Sequence, residues 1–313
     1  MQIARIKANV LNSKHKNIYS KIYLLTFGII LLLAASVSAA PKFTDEIGRQ
    51  ITLNHFPPQR IISVAPNITE ILFALGLEKQ IVGVTDFCDY PAAAKSIPKI
   101  GGFSNPNLEK IISLKPDLVV ITADSNQDAM TKQLWQLKVP VYIINSQTIF
   151  GIMTTIRKLG EVTGTNTTAN NLTQQLEHRI ELVHLKVKAL PKPKVLFLWS
   201  EKPLITAGQG TFTDNLIELA GGINIAQASK IKYPKYSLEE IIRQQPEVII
   251  IANMQNQIDA SVYSRWQQWS QIPAVRNHRV FSINSDLMAR PSPRIIDGLE
   301  ELEKLIHQVK LVK

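Results

Sequence analysis

Two stretches of the chain say nearly the same thing: NLEKIISLKPDLVVI at residues 107–121 and SLEEIIRQQPEVIII at 237–251, 130 residues apart. Leu108 answers Leu238, Glu109 answers Glu239, Ile111 and Ile112 answer Ile241 and Ile242, Pro116 answers Pro246, and Asp117 answers Glu247. In each copy an amphipathic helix is halted by a proline, which cannot continue a helix and biases the residue before it toward extended geometry. The short apolar run that follows reads as a buried strand. A second matching pair, VPVYIIN and HRVFSIN, lies downstream of each copy. The pattern asks for two similar α/β lobes.

The stretches around the repeat agree. After Pro57-Pro58 come the strand-like RIISVA, the helical NITEILFALGL and the strand-like IVGVT, then the first repeat, helical QDAMTKQLWQL and VPVYIIN. Short apolar runs alternating with amphipathic helices imply βαβ units and parallel sheets. From about Thr167 to Ala189 the alternation stops, and a stretch without Pro or Gly predicts one long helix, closed by LPKPK. The pattern then resumes with KVLFLW, TFTDNLIELAGG, the second repeat, SVYSRWQQWSQI, HRVFSIN and a last helix in SPRIIDGLEELEKLIHQVK. The expected organisation is an extension at 40–57, a lobe at 58–165, a linking helix at 166–190 and a lobe at 191–313. A single helical link favours small rocking over wide hinge closure. Ligands of such α/β units bind near the carboxyl ends of the parallel strands, here in a cleft between lobes.

Residues 1–39 read differently. Arg5, Lys7, Lys14, Lys16 and Lys21 precede the apolar IYLLTFGIILLLAASVSA, which ends in small residues with Val37 and Ala39 at cleavage-site positions. That is the build of a secretory signal peptide, so the mature chain is expected to start near Ala40 and to be exported. Five of the chain's +10 charges leave with the leader, and about +5 spread over the remainder is an ordinary solvated surface. No basic stripe with interleaved aromatics suggests nucleic acid. The lone Cys88 forms no internal disulfide.

In order and spacing, RIISVAPNITEILFALG, VGVTDFCDYP, IGGFSNPNLEKIISLKPDLVV, LIELAGGINI and SDLMARPSPRI resemble the helix-linked class of periplasmic substrate-binding proteins of ABC importers, in particular its cobalamin (vitamin B12) binders. The resemblance runs over about residues 58–310. It implies a protein that captures a corrinoid between its lobes and hands it to an importer in the periplasm. The corrinoid would be cargo, with no cofactor and no catalysis. Ferric siderophores or haem are the alternative cargo of the same class.

The resemblance also assigns residues. Glu109 and Glu239 stand where the family carries one glutamate per lobe that meets arginines on the two membrane subunits, a pairing suited to a pseudo-symmetric protein on a two-fold dimer. A simpler reading is that each carboxylate favours the first turn of its helix through the backbone dipole. Phe87 and Phe103 fall where cobalamin binders place a tyrosine and a tryptophan, and Trp199 and Tyr233 match two further aromatic positions. The rings are expected on loops, Trp199 just after its strand, with faces open to a flat ligand. Asp286 and Arg290 match a polar pair near the ligand, the carboxylate accepting from amide N–H groups and the guanidinium donating to amide carbonyls. A mutual ion pair or a helix cap is the plainer role, since Ser292 before Pro293 looks like a cap with proline in the first helical position. Thr122 and Leu287-Met288 replace tryptophans of the family pattern, so the cleft is less aromatic.

Other classes fit poorly. Of the histidines after the leader, His178 and His184 fall on the linking helix and His307 on the last helix, a dispersed set for a metal-ion binder, which needs three or four converging ligands. AGQGTFTDN has neither dinucleotide-binding nor Walker spacing, and no G-x-S-x-G elbow occurs. Cys88 reads as a small apolar filler.

Overall fold

A computed structural model describes residues 40–123, 128–253 and 261–308; the expected signal peptide lies outside the described residues. The extension forms a hairpin of β1 (Lys42–Thr44) and β2 (Gln50–Thr52), antiparallel with Phe43 opposite Ile51. The first sheet contains β3 (Ile61–Ser63), β4 (Ile81–Val84), β5 (Leu118–Thr122) and β6 (Val141–Ile144) in the order β4-β3-β5-β6, all parallel. The second contains β7 (Lys194–Glu201), β8 (Leu204–Thr206), β9 (Ile223–Asn224), β10 (Val248–Asn253) and β11 (Val280–Asn284). Its order is β11-β10-β7-β8, with β8 antiparallel and short β9 beside β7. The parallel strands are almost wholly buried, which is why they read as continuous apolar runs rather than alternating ones.

The internal repeat survives in register. Ile61 pairs with Leu118 and Val119 with Val141 in the first sheet; Val195 pairs with Val248 and Ile249 with Val280 in the second. The connecting helices are α1 (Pro66–Ala74), α2 (Leu108–Ser113), α3 (Asp128–Gln136), α4 (Ile149–Thr163), α5 (Asn166–Val187), α6 (Phe212–Leu219), α7 (Leu238–Gln244), α8 (Val262–Trp266), α9 (Pro273–Arg276), α10 (Asp286–Ala289) and α11 (Ile295–His307). Both repeat helices end the same way. Lys115 (φ 48°) and Gln245 (φ 52°) are left-handed immediately before Pro116 and Pro246. That conformation is uncommon for non-glycine residues, yet it turns the chain from helix into strand in both lobes.

The matching acids Asp117 and Glu247 complete that turn. Asp117 accepts from the backbone N–H groups of Gln59 (2.8 Å) and Arg60 (2.9 Å), and Glu247 from that of Lys194 (2.9 Å). Each thus secures the entry of its lobe's first strand.

The long helix α5 has 22 residues and buries Ala169, Thr173, Leu176, Ile180, Val183 and Val187, a three-to-four-residue spacing that makes one apolar stripe. It packs against α4 and α11. Helix α4 has no counterpart in the sequence-based expectation. Its run IFGIMTTIRKLGEVT mixes two glycines with β-branched residues, which lowers intrinsic helix propensity. Tertiary packing decides instead: a Cβ on Gly160 would collide with that of Ala169, so only glycine lets α4 and α5 approach there. Thr148 caps α4 by accepting from Gly151 N–H at 3.0 Å, and Gly164 ends it at φ 75°.

One hydrophobic cluster runs from Ile61, Leu118 and Tyr142 through Ile156, Leu176 and Ile180 to Leu299, Val248 and Ile283. The lobes therefore share a continuous core with the link. Arg179 on α5 adds ion pairs to Asp297 (2.6 Å) and Glu300 (2.8 Å) of α11. The outer face of each sheet has its own smaller cluster. No helix of the described residues is long and apolar enough to cross a membrane.

Candidate functional site

A cleft of about 510 Å³ opens at the carboxyl ends of the first sheet's strands, where ligands of parallel α/β sheets bind. Its first-lobe wall comes from Ala65 and the start of α1 (Pro66, Asn67), from Phe87 beyond β4, from Phe103 and Ser104 ahead of α2, and from Thr122 at the end of β5. Its second-lobe wall is Ala289, Arg290 and Pro291, the segment that leaves α10. Of the expected ligand-binding residues, the described cleft thus unites Phe87, Phe103 and Arg290. Asn67 and Ser104 are additions that sequence reasoning missed. The APN start of a helix with Pro66 at its first turn was the available signal, since such a start leaves backbone donors facing outward.

The four aromatic residues divide by exposure. Phe87 is 60% exposed and Tyr233 is 55% exposed. Phe103 is half-buried and packs against the main core, so it is a wall braced from behind rather than an open ring. Trp199 lies within β7, not on a loop after the strand. Its ring meets Phe197 edge-on at 5.1 Å. The Trp199 Nε1 donor is buried without a hydrogen-bond partner among the described residues, a costly state for an indole N–H.

Burial makes the stability effects of truncation predictable. Phe87→Ala and Tyr233→Ala should leave the thermal unfolding midpoint nearly unchanged, because their rings bury little. Phe103→Ala and Trp199→Ala should each cost about 1–3 kcal/mol, short of the ~3–5 kcal/mol of a fully buried ring. Calorimetry of the unliganded variants checks the split; equal losses at all four positions would contradict it.

Arg290 sits in a dense ion cluster. Its Nη1 approaches Asp89 at 2.7 Å and Glu70 at 3.3 Å, and its Nη2 approaches Asp286 at 3.0 Å. The ion pair with Asp286 was one of the two plain roles expected of that pair; the cap is not formed. Helix α11 starts at Ile295 rather than at Pro293, and the Ser292 hydroxyl donates to Glu70 at 2.5 Å. Glu70 also receives Arg294 through Nε at 2.9 Å and through Nη2, and Arg294 lies 3.7 Å over the Tyr90 ring. Glu70, Asp89 and Tyr90 belong to the first sheet's lobe and Arg290, Ser292 and Arg294 to the second's. Burial disfavours both charges of the Asp89–Arg290 pair, but the hydrogen bond between them prevails and holds the Asp89 carboxyl below its usual range. The same bond, with the charges of Asp286 and Glu70, raises Arg290 further.

Glu109 and Glu239 lie exposed in the first turns of α2 and α7. Neither caps its helix. Asn107 accepts from Lys110 N–H at 2.9 Å and Ser237 from Glu240 N–H at 3.2 Å. The Ser237 hydroxyl and the Glu239 backbone N–H hold the Glu239 carboxyl below its usual range. Cys88 is buried, 3.1 Å from the Thr85 hydroxyl, and packs into the main core. Among the described residues no group of three or more His, Cys, Asp or Glu side chains is arranged to hold a metal ion.

Two α/β lobes around one helix, with a cleft of aromatic and polar residues, define a two-lobed solute-binding protein. The chain belongs to the periplasmic binding protein family, whose profile matches residues 61–287. It is similar to the vitamin B12-binding protein of Vibrio parahaemolyticus, 30% identical over 261 residues, covering 83% of this chain and 94% of that one. Among solved structures it is similar to the periplasmic vitamin B12 binding protein of Vibrio cholerae, at 29% identity and a TM-score of 0.71, covering 80% of this chain and 97% of the other. The periplasmic haem binding protein of the same organism gives 25% identity and a TM-score of 0.72, covering 80% and 99%.

Proposed function

We propose that this chain captures cobalamin or a related corrinoid in the interlobe cleft and delivers it, chemically unchanged, to an ABC importer. The observation that carries the reading is the group of relatives named as vitamin B12-binding proteins, 28–32% identical over 79–83% of this chain. The cleft is chemically suited to such a ligand. Phe87 and Phe103 on the cleft wall offer faces to a flat macrocycle; Trp199 and Tyr233, outside the described lining, are further candidates through their match to the family's aromatic positions. Asp286 and Arg290 offer an acceptor and a donor to the amide fringe. Haem is the second reading, favoured by the likeness to a haem-binding structure.

On this reading residues 1–39 are a cleavable signal peptide, 40–57 an extension, 58–165 and 191–313 the two lobes, and 166–190 the link. The mature protein works in the periplasm as a monomer, with no nucleic acid partner. It docks on the paired membrane subunits through Glu109 and Glu239.

The test is a titration of the mature protein with cyanocobalamin, followed by tryptophan fluorescence and by the corrin absorbance. One-to-one saturation with recovery of intact ligand is expected, and Phe87→Ala and Tyr233→Ala should weaken it. Hemin saturating the site while cyanocobalamin does not would replace cobalamin with haem.

A further inference from the structure

We infer that the carboxylates around Arg290, above all Asp89, make this cleft selective against anionic ligands, so that a neutral, amide-fringed macrocycle is admitted and a carboxylate-bearing one of similar size is not. The inference rests on the corrinoid reading and adds the chemical rule by which the site discriminates.

A shared fold does not fix the cargo, so charge in the cleft must help to do so. Of the described residues that line the cleft, Arg290 is the charged one. An unpaired guanidinium there would be a natural fork for a propionate, because arginine binds carboxylates in a bidentate manner. Here Arg290 is already engaged by Asp89, Glu70 and Asp286. The neighbouring Arg294 is committed to Glu70 and to the Tyr90 face. Three carboxylates against two guanidiniums leave the cluster with one net negative charge. An incoming carboxylate must therefore displace an existing one and accept repulsion from the others. A neutral amide needs no such exchange, since it can share the donors and acceptors at the edge of the pair.

The three carboxylates are not equivalent. The Glu70 side chain is 2% exposed and fixed by Ser292 as well as Arg294. Asp286 precedes Arg290 at i,i+4 spacing on the same segment. Asp89 comes from the opposite lobe, on the loop that carries Phe87, and its side chain is 49% exposed. It is the most exposed of the three carboxylates and sits two residues from the cleft-lining Phe87. Asp89 is thus assigned as a specificity-determining residue acting through Arg290.

The experiment compares wild type, Asp89→Asn and Glu70→Gln with three probes: cyanocobalamin, which is neutral overall, hemin with its ionised propionates, and hemin dimethyl ester, whose propionates are masked. Wild type should favour cyanocobalamin over hemin. Asp89→Asn should shift the ratio of the two affinities toward hemin by about tenfold, an effect of the size expected for one charge at a part-screened ion pair. The shift should shrink at high salt and be absent for the ester. Glu70→Gln should move the ratio in the same direction, read only if its unfolding remains cooperative; Asp89→Asn, at an exposed position, keeps the test open regardless. An unchanged ratio in Asp89→Asn, or an equal shift for hemin and its ester, overturns the proposal. Wild type that binds no cyanocobalamin overturns the corrinoid reading itself, a failure visible before any variant is compared.

Discussion

Reversing both repeat glutamates, Glu109→Arg with Glu239→Arg, is expected to abolish importer-dependent uptake while leaving ligand affinity intact. Both side chains are exposed, one per lobe, in the first turns of equivalent helices. The helices do not depend on them: Asn107 and Ser237 make the caps. Losing a favourable but solvent-screened charge at a helix N-terminus is too small a change to unfold a domain with a continuous core. In the second lobe Glu240 is occupied by Arg243 at 2.9 and 2.6 Å and by Gln244. That leaves Glu239, held ionised by its own turn, as the outward-facing carboxylate. Two arginines in place of two glutamates would then face cations across a two-fold interface, and like charges there suppress association. Either single reversal should hurt less, because the other lobe still engages. Transport of labelled cobalamin in cells carrying the cognate importer decides the matter; normal uptake by the double variant would sink the docking role and leave the dipole reading standing.

The repeat was legible because both lobes use the same local solution. Helix, left-handed residue, proline and buried strand are consecutive, and each is a short-range effect of residue type. The parallel strands were legible as well, since a strand buried on both faces reads as a continuous apolar run; their registers came only with the structure. What escaped was settled at long range. Helix α4 exists because Gly160 lets it close on Ala169 of α5, against a local sequence with mediocre propensity. Trp199 was assigned to a loop, yet β7 extends to Glu201 because it pairs with β8, from Leu204 to Thr206. Asp117 and Glu247 were seen to match, but their backbone partners lie 53 to 58 residues earlier in the chain. Glu70 was hidden inside an amphipathic helix as an ordinary polar residue. Its partners are 220 to 224 residues away, and no local pattern announces them.

Glu70 accordingly yields the largest stability effect expected of any single substitution considered. Glu70→Ala should destabilise the unliganded protein by about 3–5 kcal/mol, the range seen when one partner of a buried ion pair is removed and the other charge is left uncompensated. The reason lies in who remains. Arg290 keeps Asp89 and Asp286, so its loss is partial. Arg294 loses the carboxylate that held it through both Nε and Nη2 and retains the Tyr90 face as its remaining described contact, an interaction worth only ~0.5–2 kcal/mol. Ser292, fully buried, loses its acceptor as well. Because these partners sit on opposite lobes, the cost falls on the contact that fixes one lobe against the other, and ligand affinity should drop along with the melting temperature. For a chain of this size each kcal/mol moves the midpoint by ~2–4 °C, so a fall of roughly 6–20 °C is expected. Glu70→Gln, which keeps the shape and some hydrogen bonds, should recover part of it. A change in Glu70→Ala below about 1 kcal/mol, the level of an exposed ion pair, would mean that the cluster's charges are screened in solution and that the lobes are held by the shared apolar core alone.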